Sequence, residues 1–228
     1  IQSRFDDGEI IEMDFAQLEF RVAAFLSQDK QSIQDILEGV DVHQNTANVI
    51  GCDRQTAKAH TCKPLYGGMS GTDEEKKYYT YFRKRYKGIT EWQERTEDTA
   101  ISTSFVTLPS GRQYYFEGIK RASWGGSNFY TQVRNYPVQG FATGDIVPVA
   151  CIDIYNSMKN MRTRLINTVH DSIIIDVHPK EVDSVLNKLK KACDGITQSI
   201  NKRYDIDFNV PLDYEIKKGH NWLDLKRI

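Results

Sequence analysis

The spacing of apolar residues changes its period several times along the chain. A short apolar run at 9–13 ends at Asp14 and predicts a buried strand, and the segment 17–26 that follows has apolar residues at helical spacing. A second apolar stretch, 165–177, reads as a β-hairpin whose tight turn carries His170 and Asp171. Helical segments lie between these strand-bearing regions. This mixture indicates an α+β fold.

Capping signals mark the helices of the middle region. Asp53 is suited to cap one helix, and Thr72 with Glu75 three residues later forms a capping box for the next. The residues Arg54, Lys58, Cys62 and Tyr66 fall four apart, so they predict one winding stripe on a helix. Pro64 lies inside that stretch and is expected to kink or end the helix.

The second half of the chain predicts further elements from the same kinds of pattern. The segments 105–108 and 112–116 flank a Pro-Ser-Gly turn and predict a hairpin. Periodicity predicts three helices and a closing strand, at 129–136, 138–158, 181–204 and 210–216.

Composition narrows the class of protein. The chain of 228 residues is 39% hydrophobic, and no apolar run approaches the roughly 18 residues of a membrane span. Its 30 basic and 31 acidic residues give a net charge of −1, which argues against a uniformly basic nucleic-acid binder but not against a local basic surface. Basic runs occur at 83–87, 120–121 and 188–191, and each is equally consistent with a solvated helix face. The four cysteines form no C-x-x-C pair, which argues against a zinc knuckle and fits a reducing compartment.

The two strand ends carry the first candidate chemistry. Asp14 and Asp171 each follow an apolar strand, and two such carboxylates suit a pair of magnesium ions, which take hard oxygen ligands. Two ions about 3.5–4 Å apart can clamp the attacking and leaving oxygens of a phosphoryl transfer. Either aspartate taken alone is as readily a turn or capping residue.

A pair of basic residues on the helix that Asp53 caps is the second candidate functional feature. Arg54 and Lys58 are one turn apart, and a planar guanidinium next to a compact ammonium suits a triphosphate. The alternative is a solvated pair of like charges, which repel slightly at this spacing.

Four segments in order resemble the motifs of family A DNA polymerases, the DNA polymerase I family. Residues 14–21 resemble motif A, 54–58 with Tyr66 and Gly67 resemble motif B, 135–140 resemble a palm segment, and 169–171 resemble motif C. The resemblance implies a palm with an antiparallel sheet, at 1–37 and 102–228, and a helical fingers insertion at 38–101. It also implies that the family's thumb and exonuclease domains are absent from this chain.

The resemblance implies roles for individual residues. Asp14, Asp171 and the Phe15 carbonyl would bind two Mg²⁺ ions, and Lys58 would contact the triphosphate and protonate the leaving pyrophosphate. Glu19, paired with Tyr66, would close the space beside the sugar C2′ position and so favour deoxynucleotides. Further contacts to the nucleotide or to DNA are implied for Gln17, His43, Arg54, Arg112, Asn135, Gln139 and His170.

Three residues depart from the family pattern. Cys62 stands where the family usually has an aromatic ring under the sugar, which puts selectivity at the sugar 3′ position in doubt. Pro64 interrupts motif B, which puts the bending of the fingers in doubt. Ser172 replaces the usual acidic neighbour of the motif C aspartate, and two carboxylates are still expected to suffice.

The expected function is template-directed DNA synthesis from deoxynucleoside triphosphates on primer-template DNA. The alternatives are a single-subunit RNA polymerase, against which Glu19 argues, and a catalytically silent DNA-binding fragment, against which Asp14, Lys58 and Asp171 argue. Because the chain begins at Ile1 with only 13 residues before Asp14, we expect a thumb-bearing N-terminal portion as a partner. With no secretion signal, the expected location is the cytoplasm of a bacterial or phage-infected cell, or an organelle.

Overall fold

The computed structural model describes all residues, 1–228, and divides them into two compact units. The first, here called the sheet unit, comprises Ile1–Leu18, Ala142–Phe208 and Leu212–Ile228. The second, here called the helical unit, comprises Glu19–Phe141 and Asn209–Pro211. These units are defined by packing and differ from the predicted palm and fingers, an assignment that stays a prediction.

The chain forms ten α-helices and seven strands. The helices are α1 (Leu18–Ser27), α2 (Lys30–Leu37), α3 (Val42–Ile50), α4 (Arg54–Thr61), α5 (Asp73–Arg85), α6 (Lys87–Thr103), α7 (Tyr130–Phe141), α8 (Val147–Ser157), α9 (Val182–Asp194) and α10 (Ile196–Tyr204). The strands are β1 (Glu9–Phe15), β2 (Phe105–Thr107), β3 (Gln113–Tyr115), β4 (Arg164–Val169), β5 (Ser172–Val177), β6 (Tyr214–Gly219) and β7 (Lys226–Arg227).

The sheet unit is built on a five-stranded antiparallel sheet in the order β4-β5-β1-β6-β7. Its central strand β1 alternates between two faces, with Ile11, Met13 and Phe15 buried on one and Glu12 and Asp14 partly exposed on the other. Every residue of β5 is buried, which matches its run of isoleucines. Helix α8 packs against β4, β5, α9 and α10. The sheet therefore holds Asp14 on a rigid central strand.

The helical unit follows its capping residues closely. The side chains of Asp41, Asp53 and Thr72 accept hydrogen bonds from the first-turn amides of α3, α4 and α5, and the Thr72–Glu75 capping box is complete. Aromatic side chains of α5, with Tyr86 directly after it, contribute to the core of the helical unit. Tyr78, Tyr79, Phe82 and Tyr86 make edge-to-face contacts with one another in sequence. The hairpin β2–β3 forms at the predicted place.

Motif B does not form one continuous helical stripe. Helix α4 ends at Thr61, and Lys63–Tyr66 forms a 3₁₀ helix with Pro64 in its first turn. The expectation that Pro64 ends the helix is thus confirmed, because proline supplies no amide for the α-helical bond. Cys62 caps the end of α4 and Tyr66 lies in the 3₁₀ helix beyond it, so the predicted stripe through all four residues is wrong.

The remaining boundaries differ from the predicted ones for identifiable reasons. The predicted break at Pro137 is absent, since α7 continues through it with Val133, Val138 and Phe141 buried around it. The chain instead widens into a π-helical segment at 142–146 before α8, and Pro148 lies in the first turn of α8, where its missing amide costs little.

Two further predicted elements change. The helix predicted at 181–204 is two helices that meet at Gly195, and the strand predicted at 210–216 begins only at Tyr214, after Pro211. No helix of the chain combines the length and apolar character needed to cross a bilayer.

Candidate active site

Asp14 and Asp171 lie together at one end of the central strands of the sheet unit. Asp14 is the penultimate residue of β1 and pairs in register with Ser172 at the start of β5. Asp171 precedes Ser172 in the two-residue turn of the β4–β5 hairpin, and the Phe15 amide donates to the Asp171 carbonyl at 3.3 Å. The carboxyl groups of Asp14 and Asp171 also lie within hydrogen-bond reach of each other. Strand pairing thus produces the carboxylate pair that the sequence predicted.

The surroundings of Asp14 are rich in negative charge. Burial raises the pKa of Asp14, and the neighbouring Glu12 and Glu215 raise it further, while Lys217 and the hydrogen bond with Asp171 act in the opposite direction. Glu12 is already engaged, since its two oxygens accept from Lys217 at 3.1 Å and from the Trp222 indole at 2.6 Å. Asp14 and Asp171 are therefore the carboxylates of this cluster that suit a cation.

This donor set fits a hard divalent cation. Two carboxylates within hydrogen-bond reach repel each other when both are ionised, and a cation between them removes that repulsion. The chain has no group of three or more His, Cys, Asp and Glu side chains arranged to hold a metal, so a cation held by Asp14 and Asp171 would need further ligands. Magnesium commonly uses one or two carboxylates and completes its shell with water and substrate phosphates.

Nearby predicted residues lie in turns of the sheet unit. Gln17 follows β1 with φ +54°, and His170 opens the hairpin turn with φ +53°, a conformation that is uncommon outside glycine. His170 is exposed and Gln17 is half-buried. The Ser172 hydroxyl donates to the Val169 carbonyl at 2.9 Å and so closes the hairpin. Ser172 thus gives the turn an internal bond.

The predicted phosphate ligands of the helical unit gather around Asp41. The Arg54 Nε donates to Asp41 Oδ2 at 2.7 Å, and Asp41 Oδ1 accepts from the amide of His43 at 3.0 Å. Burial lowers the pKa of His43, and although Asp41 opposes this, the positive charges of Arg54 and Lys58 lower it further. His43 Nδ1 is buried without a hydrogen-bond partner. The lowered pKa favours the neutral form of His43, so Arg54 and Lys58 are the cations of this group, and Asp41 is a partner that the sequence did not reveal.

The predicted pairing of Glu19 with Tyr66 is present in the helical unit. The Tyr66 hydroxyl donates to Glu19 Oε2, and the Gln139 amide donates to Glu19 Oε1 at 3.4 Å. Burial, followed by the charge of Glu19, raises the pKa of Tyr66 above its ordinary range, so the phenol stays a donor. Both carboxylate oxygens of Glu19 are thus engaged. The contact from Gln139 was not expected, because its sequence motif pointed only to DNA.

The other predicted contacts are spread over the helical unit. Asn135 lies one turn before Gln139 on α7, and its Oδ1 is buried without a partner. Arg112 is exposed beside the β2–β3 turn, and Cys62 is half-buried at the end of α4. Nothing in these positions assigns their roles, which stay predictions.

One of the basic runs lines a pocket. Arg83, Lys84 and Lys87 border an open cavity of about 370 Å³ at the junction of α5 and α6, together with Glu91. Arg83 is also 3.4 Å from Glu94. The pocket shows that this run forms a local basic surface on a chain of nearly neutral charge.

Comparison with known proteins identifies the class. The model of "DNA polymerase family A" matches residues 3–224. The fold is similar to that of a solved structure titled "POL domain of Pol1 from M. smegmatis complex with DNA primer-template and dNTP", with a TM-score of 0.75 and 22% identity over 96% of this chain and 41% of that one. The chain belongs to DNA polymerase family A. Membership of this family implies a requirement for a divalent metal.

Curated relatives share the same region. DNA polymerase I of Caldicellulosiruptor bescii is 28% identical over 238 residues, which covers 95% of this chain and 27% of that protein. The thermostable DNA polymerase I of Thermus aquaticus is 24% identical over 236 residues, again 95% of this chain and 27% of that protein. The chain therefore spans about a quarter of the length of these relatives.

Proposed function

We propose that this chain carries the catalytic centre of a template-directed DNA polymerase. The primer 3′-hydroxyl attacks the α-phosphorus of a deoxynucleoside triphosphate, a bond to the primer forms, and pyrophosphate leaves. The observation that carries the proposal is the Asp14–Asp171 carboxylate pair at the paired ends of β1 and the β4–β5 hairpin, in a member of this family.

The two aspartates and the Phe15 carbonyl are suited to hold two Mg²⁺ ions. When bound, these ions lower the pKa of the primer hydroxyl and neutralise charge on the triphosphate. The protein supplies the position of the ligands, because β1 lies between β5 and β6 and its register is fixed on both sides. The raised pKa of Asp14, which burial causes first, marks a carboxylate whose charge is poorly accommodated without a cation and so supports this assignment.

Residues of the helical unit bind the incoming nucleotide in this proposal. Arg54, Lys58 and His43 contact the triphosphate, and Lys58 donates a proton to the leaving pyrophosphate. Two observations support a shared ligand: Asp41 holds the Arg54 side chain beside His43, and Lys58 is near enough to lower the pKa of His43. Gln17 makes a further contact to the nucleotide.

Glu19 and Tyr66 select the sugar in this proposal. A ribose 2′-hydroxyl would collide with the pair or strand a carboxylate whose two oxygens are now bonded. Asn135, Gln139, His170 and Arg112 contact the duplex.

Primer extension tests the proposal. The protein is supplied with primer-template DNA, Mg²⁺ and either deoxynucleoside or ribonucleoside triphosphates. We expect magnesium-dependent extension with the deoxynucleotides, and we expect Asp171→Asn to lose it. Preferential use of ribonucleotides would instead indicate an RNA polymerase, and DNA binding without extension would indicate a silent DNA-binding protein.

A further inference from the structure

A buried polar network in the helical unit surrounds the 3₁₀ helix that carries Tyr66. Its members are Gln93 and Glu97 of α6 and Arg134 of α7, which are 3%, 4% and 4% exposed. Such a network is costly to bury unless its groups are bonded, and its bonds therefore hold fixed geometry.

Gln93 is the member that touches the Tyr66 segment. Its Nε2 donates to the Pro64 carbonyl at 3.1 Å and to the Leu65 carbonyl at 2.7 Å. The Leu65 carbonyl belongs to the same planar peptide group as the Tyr66 amide. Gln93 therefore fixes the plane from which the Tyr66 side chain projects.

Arg134 determines which way the Gln93 amide faces. An arginine side chain has donors and no acceptor, and Arg134 Nη1 lies 3.3 Å from Gln93 Oε1. The amide oxygen of Gln93 must therefore point to Arg134, which directs the amide nitrogen to the two carbonyls.

Arg134 is itself held from two further sides. Its Nη2 is 2.9 Å from Glu97 Oε2, and its guanidinium lies 3.9 Å from the centre of the Tyr130 ring. Gly67, directly after Tyr66, has φ +78°, and a Cβ there would lie 2.7–2.8 Å from the side chains of Tyr130 and Arg134. The network thus packs against both sides of the Tyr66 position.

The hydroxyl group at the far end of the Tyr66 side chain donates a hydrogen bond to Glu19. Because that hydrogen bond depends on where the hydroxyl lies, a rotated 65–66 peptide would displace it. We propose that Gln93 and Arg134 are positioning residues for sugar selection, which act by holding Tyr66 against Glu19. This inference rests on the proposed polymerase activity.

The variants Gln93→Met and Arg134→Lys test this inference in the otherwise unchanged protein. Methionine keeps similar volume without donors, and lysine keeps the charge without the planar fork that reaches both Gln93 and Glu97. The measurement is kcat/KM for a deoxynucleotide and for its ribonucleotide analogue, with kcat and KM resolved separately. We expect Gln93→Met to lower the deoxy-to-ribo ratio roughly tenfold, mainly through better ribonucleotide use, and Arg134→Lys to lower it less.

Asp35→Asn is the matched control. Like Gln93 and Arg134, Asp35 is a buried, hydrogen-bonded polar residue of the helical unit. Its partners are Arg85 and Tyr86, and it makes no contact with the network. It should lower Tm without changing the ratio. If Gln93→Met and Arg134→Lys lower Tm but leave the ratio at the parental value, the network is only structural and the inference is wrong. If the parent itself extends no primer, the proposed function fails instead.

Discussion

At the scale of the residue, Asp14 is a group of the sheet unit whose negative charge lies in an unfavourable environment. Its carboxyl group is partly buried and lies near Glu12 and Glu215, and the positive charge of Lys217 offsets only part of these effects, so the pKa of Asp14 is raised. We predict that Asp14→Asn abolishes extension and raises Tm by about 2–5 °C in the absence of metal, since it removes like-charge repulsion. Primer extension checks the first part, and calorimetry with and without Mg²⁺ checks the second.

Glu9→Gln provides the comparison for that variant. Glu9 lies on the same strand but is paired with Lys218 at 3.1 Å. The Glu9→Gln protein should therefore extend primers normally and should not become more stable. If Asp14→Asn is destabilised without metal, or if Mg²⁺ stabilises it as much as the parent, the carboxylate pair is not the metal site.

Glu19 is the residue at which the choice of sugar is expected. Glu19→Ala removes the carboxylate that Tyr66 and Gln139 now bind. We predict that the variant raises ribonucleotide use relative to deoxynucleotide use by roughly 10- to 100-fold, because a ribose hydroxyl no longer displaces the partners of a half-buried carboxylate. The ratio of the two kcat/KM values is the measurement.

Tyr66→Phe separates the bond from the ring. It keeps the aromatic surface and removes only the hydroxyl, so it should shift the ratio in the same direction by a smaller factor. An unchanged ratio in Glu19→Ala would assign the selection to another residue.

At the scale of the element, Asp35 joins α2 to the end of α5. It accepts from Arg85 Nε and Nη2 at 2.9 and 2.7 Å and from the Tyr86 hydroxyl at 2.8 Å. Burial alone would raise the pKa of Asp35, but the hydrogen bonds from Arg85, Tyr86 and Gln31 outweigh it and lower the pKa. We predict that Asp35→Asn lowers the free energy of unfolding at pH 7 by about 3 kcal/mol, because Arg85 loses its buried partner.

The pH dependence gives this prediction a second measurement. A depressed pKa means that the stabilisation by Asp35 is complete above the unfolded-state value, near pH 4, and is lost as the pH falls through the lower folded value. Denaturant titrations should show the parent losing stability faster than Asp35→Asn below about pH 4. Parallel pH profiles would mean that Asp35 is not held ionised by these bonds.

At the scale of the whole molecule, the charge balance limits how firmly DNA is held. The chain has a net charge of −1, and phosphate contacts supply much of the affinity of a DNA-binding protein. We predict that the 228-residue chain alone binds primer-template weakly, with a shallow dependence on salt, and that it adds few nucleotides per encounter. The slope of the logarithm of affinity against the logarithm of salt concentration measures the number of phosphate contacts.

The thumb-bearing N-terminal portion, which stays a prediction from the family resemblance, would be the informative addition if supplied separately. It should steepen the salt dependence and lengthen the extension products, because it brings more phosphate contacts. Tight binding and long products from the 228-residue chain alone would contradict the prediction.

Local chemistry in the sequence determined much of this protein. Asp41, Asp53 and Thr72 form caps where their side chains can reach first-turn amides, and the tight turn at His170 and Asp171 follows from the apolar runs on either side. Motif order also led from Glu19 to Tyr66, 47 residues apart, as a contacting pair. These features depend on short-range rules or on a resemblance that already encodes the fold.

Tertiary packing decided the rest. Pro137 stays inside α7 because the buried neighbours on that helix outweigh the local penalty of proline, whereas Pro64 ends α4. Gln93 and Arg134 had no sequence signal, since their significance depends on carbonyls and carboxylates that approach them only after α6, α7 and the 3₁₀ helix have packed. A sequence records which groups can bond, but burial determines which of those bonds must form.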